Sequence, residues 1–336
     1  MTRITSYNIL AGGYNITTRG YTQRTHPLLS VIRSTHADVV GLVEATNSLI
    51  TRRPFVIEQI ADALDMQLVM AVEPPHYAQY QPALLTRLPI VYKRVHRSHI
   101  LVRPLLEVCV EEPNGQHLVV FVTHLSAAFN HGWAGSALRR RELREILDIM
   151  AKVKDTPHLL MGDFNSLAPG DSFRASYLLR YITQLDEQRQ RLHISEGHPH
   201  LDGVVPDQLH FLNPLLRTIA RSTLLSGVFD MAASAYAPRG TIALMHRAGY
   251  IDCYRHIHPH AYGYTCPSAA PAGRIDFIFA NPRLAQRLEI CFPVLGSDDV
   301  PARLASDHLA MTAAFGDSIG ELQQHMAEEI TEEGAA

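Results

Sequence analysis

Short apolar runs alternate with amphipathic segments along most of the chain. Runs rich in β-branched and aromatic residues predict strands at Arg3–Leu10, Asp38–Glu44, Gln67–Val72, Pro82–Arg87 and Leu106–Glu111. Further strands are expected at His117–Leu125, His158–Asp163, Arg274–Ala280 and Leu309–Phe315. Helical spacing puts Ile57, Ile60, Ala61 and Leu64 on one face of Phe55–Leu64. It does the same for Leu143, Ile146, Leu147 and Met150 in Ala137–Val153. A third helical stretch, about Leu215–Ala235, lies in the long segment between the strands ending at Asp163 and opening at Arg274. The mixture predicts an α/β protein. A sheet-rich sandwich with outer helices fits better than a doubly wound nucleotide fold, because no GxGxxG follows a strand. GxxxxGK[ST] is also missing, which argues against a P-loop NTPase.

Several polar residues interrupt these strands, where an unpaired carboxylate or amide costs several kcal/mol. Asn8 closes the first strand, as a turn residue or as a ligand. Glu44 ends Val39-Val40-Gly41-Leu42-Val43. In Gly162-Asp163-Phe164-Asn165, extended chain would point Asp163 and Asn165 to one face and Phe164 into packing; an Asx turn is the structural alternative. Asp276 falls within a strand and needs a partner, either Arg274 or a histidine elsewhere. Asp307 and His308 precede the last strand, and His124 ends another. Together these residues offer hard oxygen ligands for Mg²⁺ and a carboxylate–His pair for acid–base work. Arg139, Arg140 and Arg141 read as a solvated helix face.

Composition narrows the class. The 336 residues are 46% hydrophobic and 19% charged, which excludes a disordered or fibrous chain. Four scattered cysteines with no CxxC pair argue against a zinc ribbon and for a reducing compartment. Thirty cations stand against 33 anions, and six of the acids lie in the last 21 residues, which hold no Lys or Arg. Setting those six aside leaves 30 against 27, a net of +3, far from the basic excess of a protein gripping long duplex. With no apolar stretch of membrane-spanning length and no secretory signal, a cytoplasmic protein is expected.

Taken in order, Ser6-Tyr7-Asn8-Ile9, Gly41-Leu42-Val43-Glu44, Val122-Thr123-His124-Leu125, Gly162-Asp163-Phe164-Asn165, Arg274-Ile275-Asp276-Phe277-Ile278-Phe279 and Ser306-Asp307-His308-Leu309 resemble the blocks of the endonuclease/exonuclease/phosphatase superfamily. The resemblance covers roughly residues 3–316. It implies a four-layer sandwich, two mixed β-sheets face to face with helices outside. It also implies one domain over 1–316, with a helical insertion at about 172–249 and an acidic tail at 317–336. By this likeness Glu44, Asn8 and Asp307 would hold Mg²⁺, with Mn²⁺ as substitute. Asp276 would hold His308, Asp163 would orient or deprotonate water, and Asn165 and His124 would contact phosphate. Val43 departs from the family, where Gln often precedes the metal-binding Glu.

The implied activity is hydrolysis of a phosphodiester by water, foremost on DNA or nucleic-acid ends. The alternative is a small phosphoester such as an inositol phosphate, a phospholipid head group or a nucleotide. Trp133, Tyr264 and Arg19 are candidate substrate contacts. No obligate protein partner is implied.

Overall fold

The computed structural model describes residues 1–17, 20–48, 50, 55–72, 80–192 and 200–317. In chain order the first strands are β1 (Thr2–Asn8), β2 (Tyr14–Thr17), β3 (Gly20–Gln23), β4 (Val39–Val43), β5 (Gln67–Met70), β6 (Ala83–Thr86) and β7 (Ile90–His96). They are followed by β8 (Leu105–Glu111), β9 (His117–His124), β10 (His158–Asp163), β11 (Ile251–Asp252), β12 (Asp276–Ala280), β13 (Leu288–Val294) and β14 (Ala310–Phe315). Two six-stranded mixed sheets result, ordered β13-β14-β1-β4-β6-β5 and β11-β12-β10-β9-β8-β7, with β2-β3 as a separate hairpin.

The central strands read as unbroken apolar runs because they are covered on both faces. Val39, Val43, Val120, Val122, Leu159, Met161, Ile278 and Met311 meet between the sheets. The outer face of the first sheet packs on helices Thr25–Ser34 and Phe55–Leu64 through Leu28, Val31, Ile57 and Ile60. That of the second packs on Gly132–Met150 and Gly240–Arg247 through Leu143, Ile146, Ile242 and Met245. The four layers expected from the sequence are therefore present. Among the described residues, no helix is long and apolar enough to cross a membrane.

Three expectations need correction. Edge strands β7 and β13 were not foreseen: one side of each faces outward, and charged residues and Pro293 break the apolar run. The expected helix at Leu215–Ala235 is two helices, Asn213–Arg221 and Thr223–Tyr236, parted by Ser222, whose side chain caps the second. Arg139 is not solvated. It is buried, and its guanidinium donates to the carbonyls of Ser126 and Ala127, while Arg140 bonds Ser136 Oγ.

Between β10 and β11 the chain makes helices Ala175–Leu192, Asn213–Arg221 and Thr223–Tyr236. They gather their own small apolar cluster of Leu179, Ile182, Leu201 and Ala220, apart from the sandwich core.

Candidate active site

Strand register assembles the site. β9 and β10 run parallel and place His124 opposite Asp163; β12 runs antiparallel on the other side of β10 and places Asp276 opposite the same Asp163. One ladder row thus carries His124, Asp163 and Asp276 across three adjacent strands. In the other sheet, Asn8 ends β1 opposite Val43 of β4, so Glu44 follows at the same edge, and His308 lies just ahead of β14. All of these residues therefore collect at one end of the sandwich.

The backbone turns sharply here. Leu10, Ala11, Gly12 and Gly13 all have positive φ, as do Glu44 (φ 55°) and Asn165 (φ 47°). Such strain in non-glycine residues persists only where surrounding contacts fix it. The Ala11 N–H donates to Glu44 Oε2 at 2.9 Å and the Gly12 N–H to the Glu44 carbonyl at 2.7 Å, so the left-handed turn clasps Glu44. Arg24 fastens the same turn, donating to the carbonyls of Ile9, Leu10, Tyr14 and Ala305. Gly162 (φ 141°) is required because a Cβ there would lie 1.8 Å from the Thr123 carbonyl oxygen.

Asn8 bridges the two halves. Its Nδ2 donates to Asp163 Oδ2 at 3.2 Å and lies 3.4 Å from Glu44 Oε1, while Oδ1 accepts from the Leu10 N–H. The open question about Asp276 resolves to histidine: His308 Nδ1 is 2.9 Å from Asp276 Oδ2. Arg274 instead binds Asp252 through two nitrogens and Asp171 through a third. Asp276 opens β12 instead of sitting inside it. Asp163 and Asn165 do form the Asx turn, with Asn165 N–H on Asp163 Oδ1 at 2.8 Å and Asn165 Nδ2 on the Leu125 carbonyl. Phe164 turns inward onto Phe277 and Phe279.

The electrostatics follow from burial. His124 Nε2 and His308 Nε2 each lie 3.8 Å from Asp163 Oδ2. Burial, and then the Asp276 charge, push the Asp163 carboxyl up to about 7. Burial alone would lower His308, but Asp276, Cys266 and Asp307 together lift it well above the ordinary histidine value, so the ring is held as imidazolium. Burial, with the charges of Arg103 and His308, drives His124 well below it, so that ring is neutral, and its buried Nδ1 has no partner among the described residues. Glu44 is raised by burial, relieved by the Ala11 N–H and raised again by Asp307.

Other expected residues fall differently. Trp133 lies in the first turn of Gly132–Met150, 60% exposed, edge-to-face with Tyr236 at 5.6 Å. Tyr264 is buried, stacked on Tyr262, with its hydroxyl 2.7 Å from Ser172 Oγ. Arg19 and the tail beyond Asp317 lie outside the described residues. Sequence reasoning missed the supports: Arg24, and Thr265, whose Oγ1 accepts from the Ile275 and Asp276 N–H groups. It also missed Ser306 as a support, whose Oγ donates to the Asn8 carbonyl at 2.6 Å. Ser306 stood inside a recognised block; nothing marked Arg24 or Thr265.

The two-sheet sandwich thus gathers a carboxylate–imidazole–carboxylate cluster at its strand ends. The profile of the Endonuclease/Exonuclease/phosphatase family matches residues 5–308, and the chain belongs to that family. No curated protein matches the chain in sequence. Among solved structures, an AP endonuclease from Archaeoglobus fulgidus is similar at 14% identity with TM-score 0.59, covering 94% of this chain and 99% of that one. The 3′ phosphatase NExo from Neisseria, bound to product DNA hairpin, is similar at 14% identity and TM-score 0.54, covering 94% and 100%. An endonuclease/exonuclease/phosphatase from Beutenbergia cavernae gives 18% identity and TM-score 0.52, covering 94% and 72%.

Proposed function

We propose that the protein hydrolyses a phosphodiester by direct attack of water, with a divalent cation, Mg²⁺ or Mn²⁺, held by Glu44 and Asp307 and Asn8 beside them. The donor set fits such an ion. Glu44 and Asp307 are oxygen donors close enough for one charge to raise the other's pKa, and neither makes an ion pair among the described residues. Among the described residues, Asp163, Asp276 and His308 bring ligand-type atoms within 4.8 Å of one another. The imidazole is already committed to Asp276, so the all-oxygen pair suits a hard cation better. When bound, the ion neutralises charge developing on phosphoryl or leaving oxygens.

The chain's own groups supply the proton traffic. Asp163, poised near neutrality, takes the proton of the attacking water as its oxygen bonds to phosphorus. The P–O bond to the leaving group then breaks, and that alkoxide is protonated from solvent or His308. The imidazolium of His308, fixed by Asp276, and the neutral ring of His124 donate to phosphoryl oxygens. Asn165 spends its amide on the Leu125 carbonyl in this structure and faces the same space. The single observation that carries this reading is Asp163 flanked in register by His124 and Asp276, with His308 against both carboxylates.

A nucleic-acid substrate is favoured by the structural likeness to an enzyme holding product DNA. A small phosphoester is favoured by the near-neutral net charge. Hydrolysis of bis(4-nitrophenyl) phosphate with Mg²⁺ or Mn²⁺ tests the reaction itself; no turnover with either ion would refute it.

A further inference from the structure

A cavity of about 560 Å³ opens beside the cluster, and Asn165, Asp307 and His308 line one end of it. This lies within the roughly 300–1,000 Å³ of small-molecule sites. Much of the rest of its wall is hydrocarbon, with Leu179, Ile182, Leu201, Val204, Leu216 and Phe229 contributed by the segment between β10 and β11. Phosphate-binding cations are scarce in it. Besides His308, the one basic lining residue among those described is Arg139, and it is spent on the carbonyls of Ser126 and Ala127. A polynucleotide has no alkyl chain to fill such a chamber and needs cations along its path.

A second observation points the same way. In the same segment Phe211 (75% exposed), Leu215, Val228 and Met231 (70%) are large apolar side chains that face solvent. Trp133 and Tyr236, both exposed and in edge contact, stand in the wall of the same cavity. An apolar chamber ending at a phosphoesterase centre suits a molecule that is phosphate at one end and hydrocarbon at the other.

We propose that the substrate is an amphiphilic phosphoester whose alkyl or acyl tail occupies this chamber while its phosphate sits at Asp163, His308 and Asp307. The inference rests on the phosphoesterase reading above and adds the chemical class of the substrate. Removing a tail methylene from water is worth about fourfold in binding, the ~0.8 kcal/mol per buried CH₂ converted at 25 °C.

The test is a homologous series, 4-nitrophenyl phosphate diesters of butyl, hexyl, octyl and dodecyl alcohols, assayed with Mg²⁺ or Mn²⁺ beside bis(4-nitrophenyl) phosphate. kcat/KM is expected to rise more than tenfold from butyl to dodecyl. Presenting the dodecyl ester dissolved and in phosphatidylcholine vesicles distinguishes a free amphiphile from a bilayer lipid as the source, and turnover in either form supports the inference. Trp133, the only tryptophan, gives a readout independent of turnover: its emission should respond to dodecyl phosphonate at lower concentration than to butyl phosphonate. Ala233 lines the chamber. Ala233→Phe should abolish the gain beyond hexyl.

If the compact diester is hydrolysed but the series stays within tenfold, the inference is overturned and the phosphoesterase reading stands. Chain-length-dependent Trp133 emission without hydrolysis of any ester supports the chamber and refutes the reaction. Turnover of a 3′-phosphorylated oligonucleotide above that of the dodecyl ester also overturns the inference.

Discussion

Asp163 and Asp276 are register partners on neighbouring antiparallel strands, two buried carboxylates facing each other, with the His308 ring against both. Two such anions cannot both ionise cheaply in one buried site without a cation between them. The imidazolium of His308, against both carboxylates, is that cation.

Asp276→Asn removes the charge that holds His308 protonated. Turnover of a phosphodiester is expected to fall by roughly 10²–10⁴, as for loss of a positioned acid–base group. Melting temperature should change little, because Asp276 Oδ1 has no partner among the described residues. The alkaline limb of the pH–kcat profile should move to lower pH, since an imidazole without its carboxylate loses its proton sooner. An unmoved limb with intact kcat would assign Asp276 a purely structural part.

Asp163→Asn keeps the Oδ1 acceptor that closes the Asx turn on Asn165. It should fold normally yet lose about 10²-fold or more in kcat with little change in KM. Asn165→Ala loses the hydrogen bond to the Leu125 carbonyl, about 1 kcal/mol of stability, and should also lower kcat. Variants with kcat within about threefold of the parent would reduce this loop to a turn.

Glu44→Gln separates ion binding from folding. Burial and Asp307 already disfavour the Glu44 charge, so in excess EDTA the variant should melt no lower than the parent. Adding Mg²⁺ should raise the parent's melting temperature, by about 2.7 kcal/mol of stabilisation at a hundredfold excess over Kd, and leave the variant unmoved. Equal Mg²⁺ responses would place the ion elsewhere.

Arg274 is buried against two carboxylates, Asp171 and Asp252. Arg274→Leu strands Asp252 and leaves Asp171 with Arg255 alone; it should cost about 3–5 kcal/mol, read by urea unfolding, while the folded fraction keeps its kcat. A large kcat loss in a stably folded variant would bring Arg274 into the chemistry.

His158, at the start of β10, bonds Tyr250 Oη and the Thr156 carbonyl, and burial holds its pKa below the ordinary 6.5. The unfolded chain therefore takes up a proton near pH 6.5 that the folded protein refuses. Its contribution to stability is present above that pH and is lost as the pH falls toward the depressed folded value. His158→Gln should flatten the decline of melting temperature between about pH 7.5 and 5.5. An unchanged slope would assign the decline to other histidines.

The central strands were legible because burial on both faces leaves a bare apolar run, as in Val39–Val43. Edge strands β7 and β13 were not, since exposed positions dilute that signal. Asn8, Glu44, Asp163 and His308 could be picked out because each is polar at a strand end. The partner of Asp276 could not: Arg274 was the nearer candidate in sequence, and its own carboxylates come from Asp252 and from Asp171, 103 residues away. The chamber was equally hidden, because apolar residues lining a cavity show the same helical spacing as residues filling a core.

β1 lies between β4 and β14 in its sheet, so the first strand of the chain is completed by the last. Glu44 leaves the ribosome about 260 residues, and Asn8 about 300, before Asp307 and His308. During synthesis the second sheet can pair around Asp163 while the imidazole that must face it has not yet been made. A nascent or truncated chain short of residue 308 carries the carboxylates without the imidazole that lies against them. Loop closure between chain segments this distant is slow, so recovery of activity after dilution from urea is expected to follow the seating of β14 beside β1.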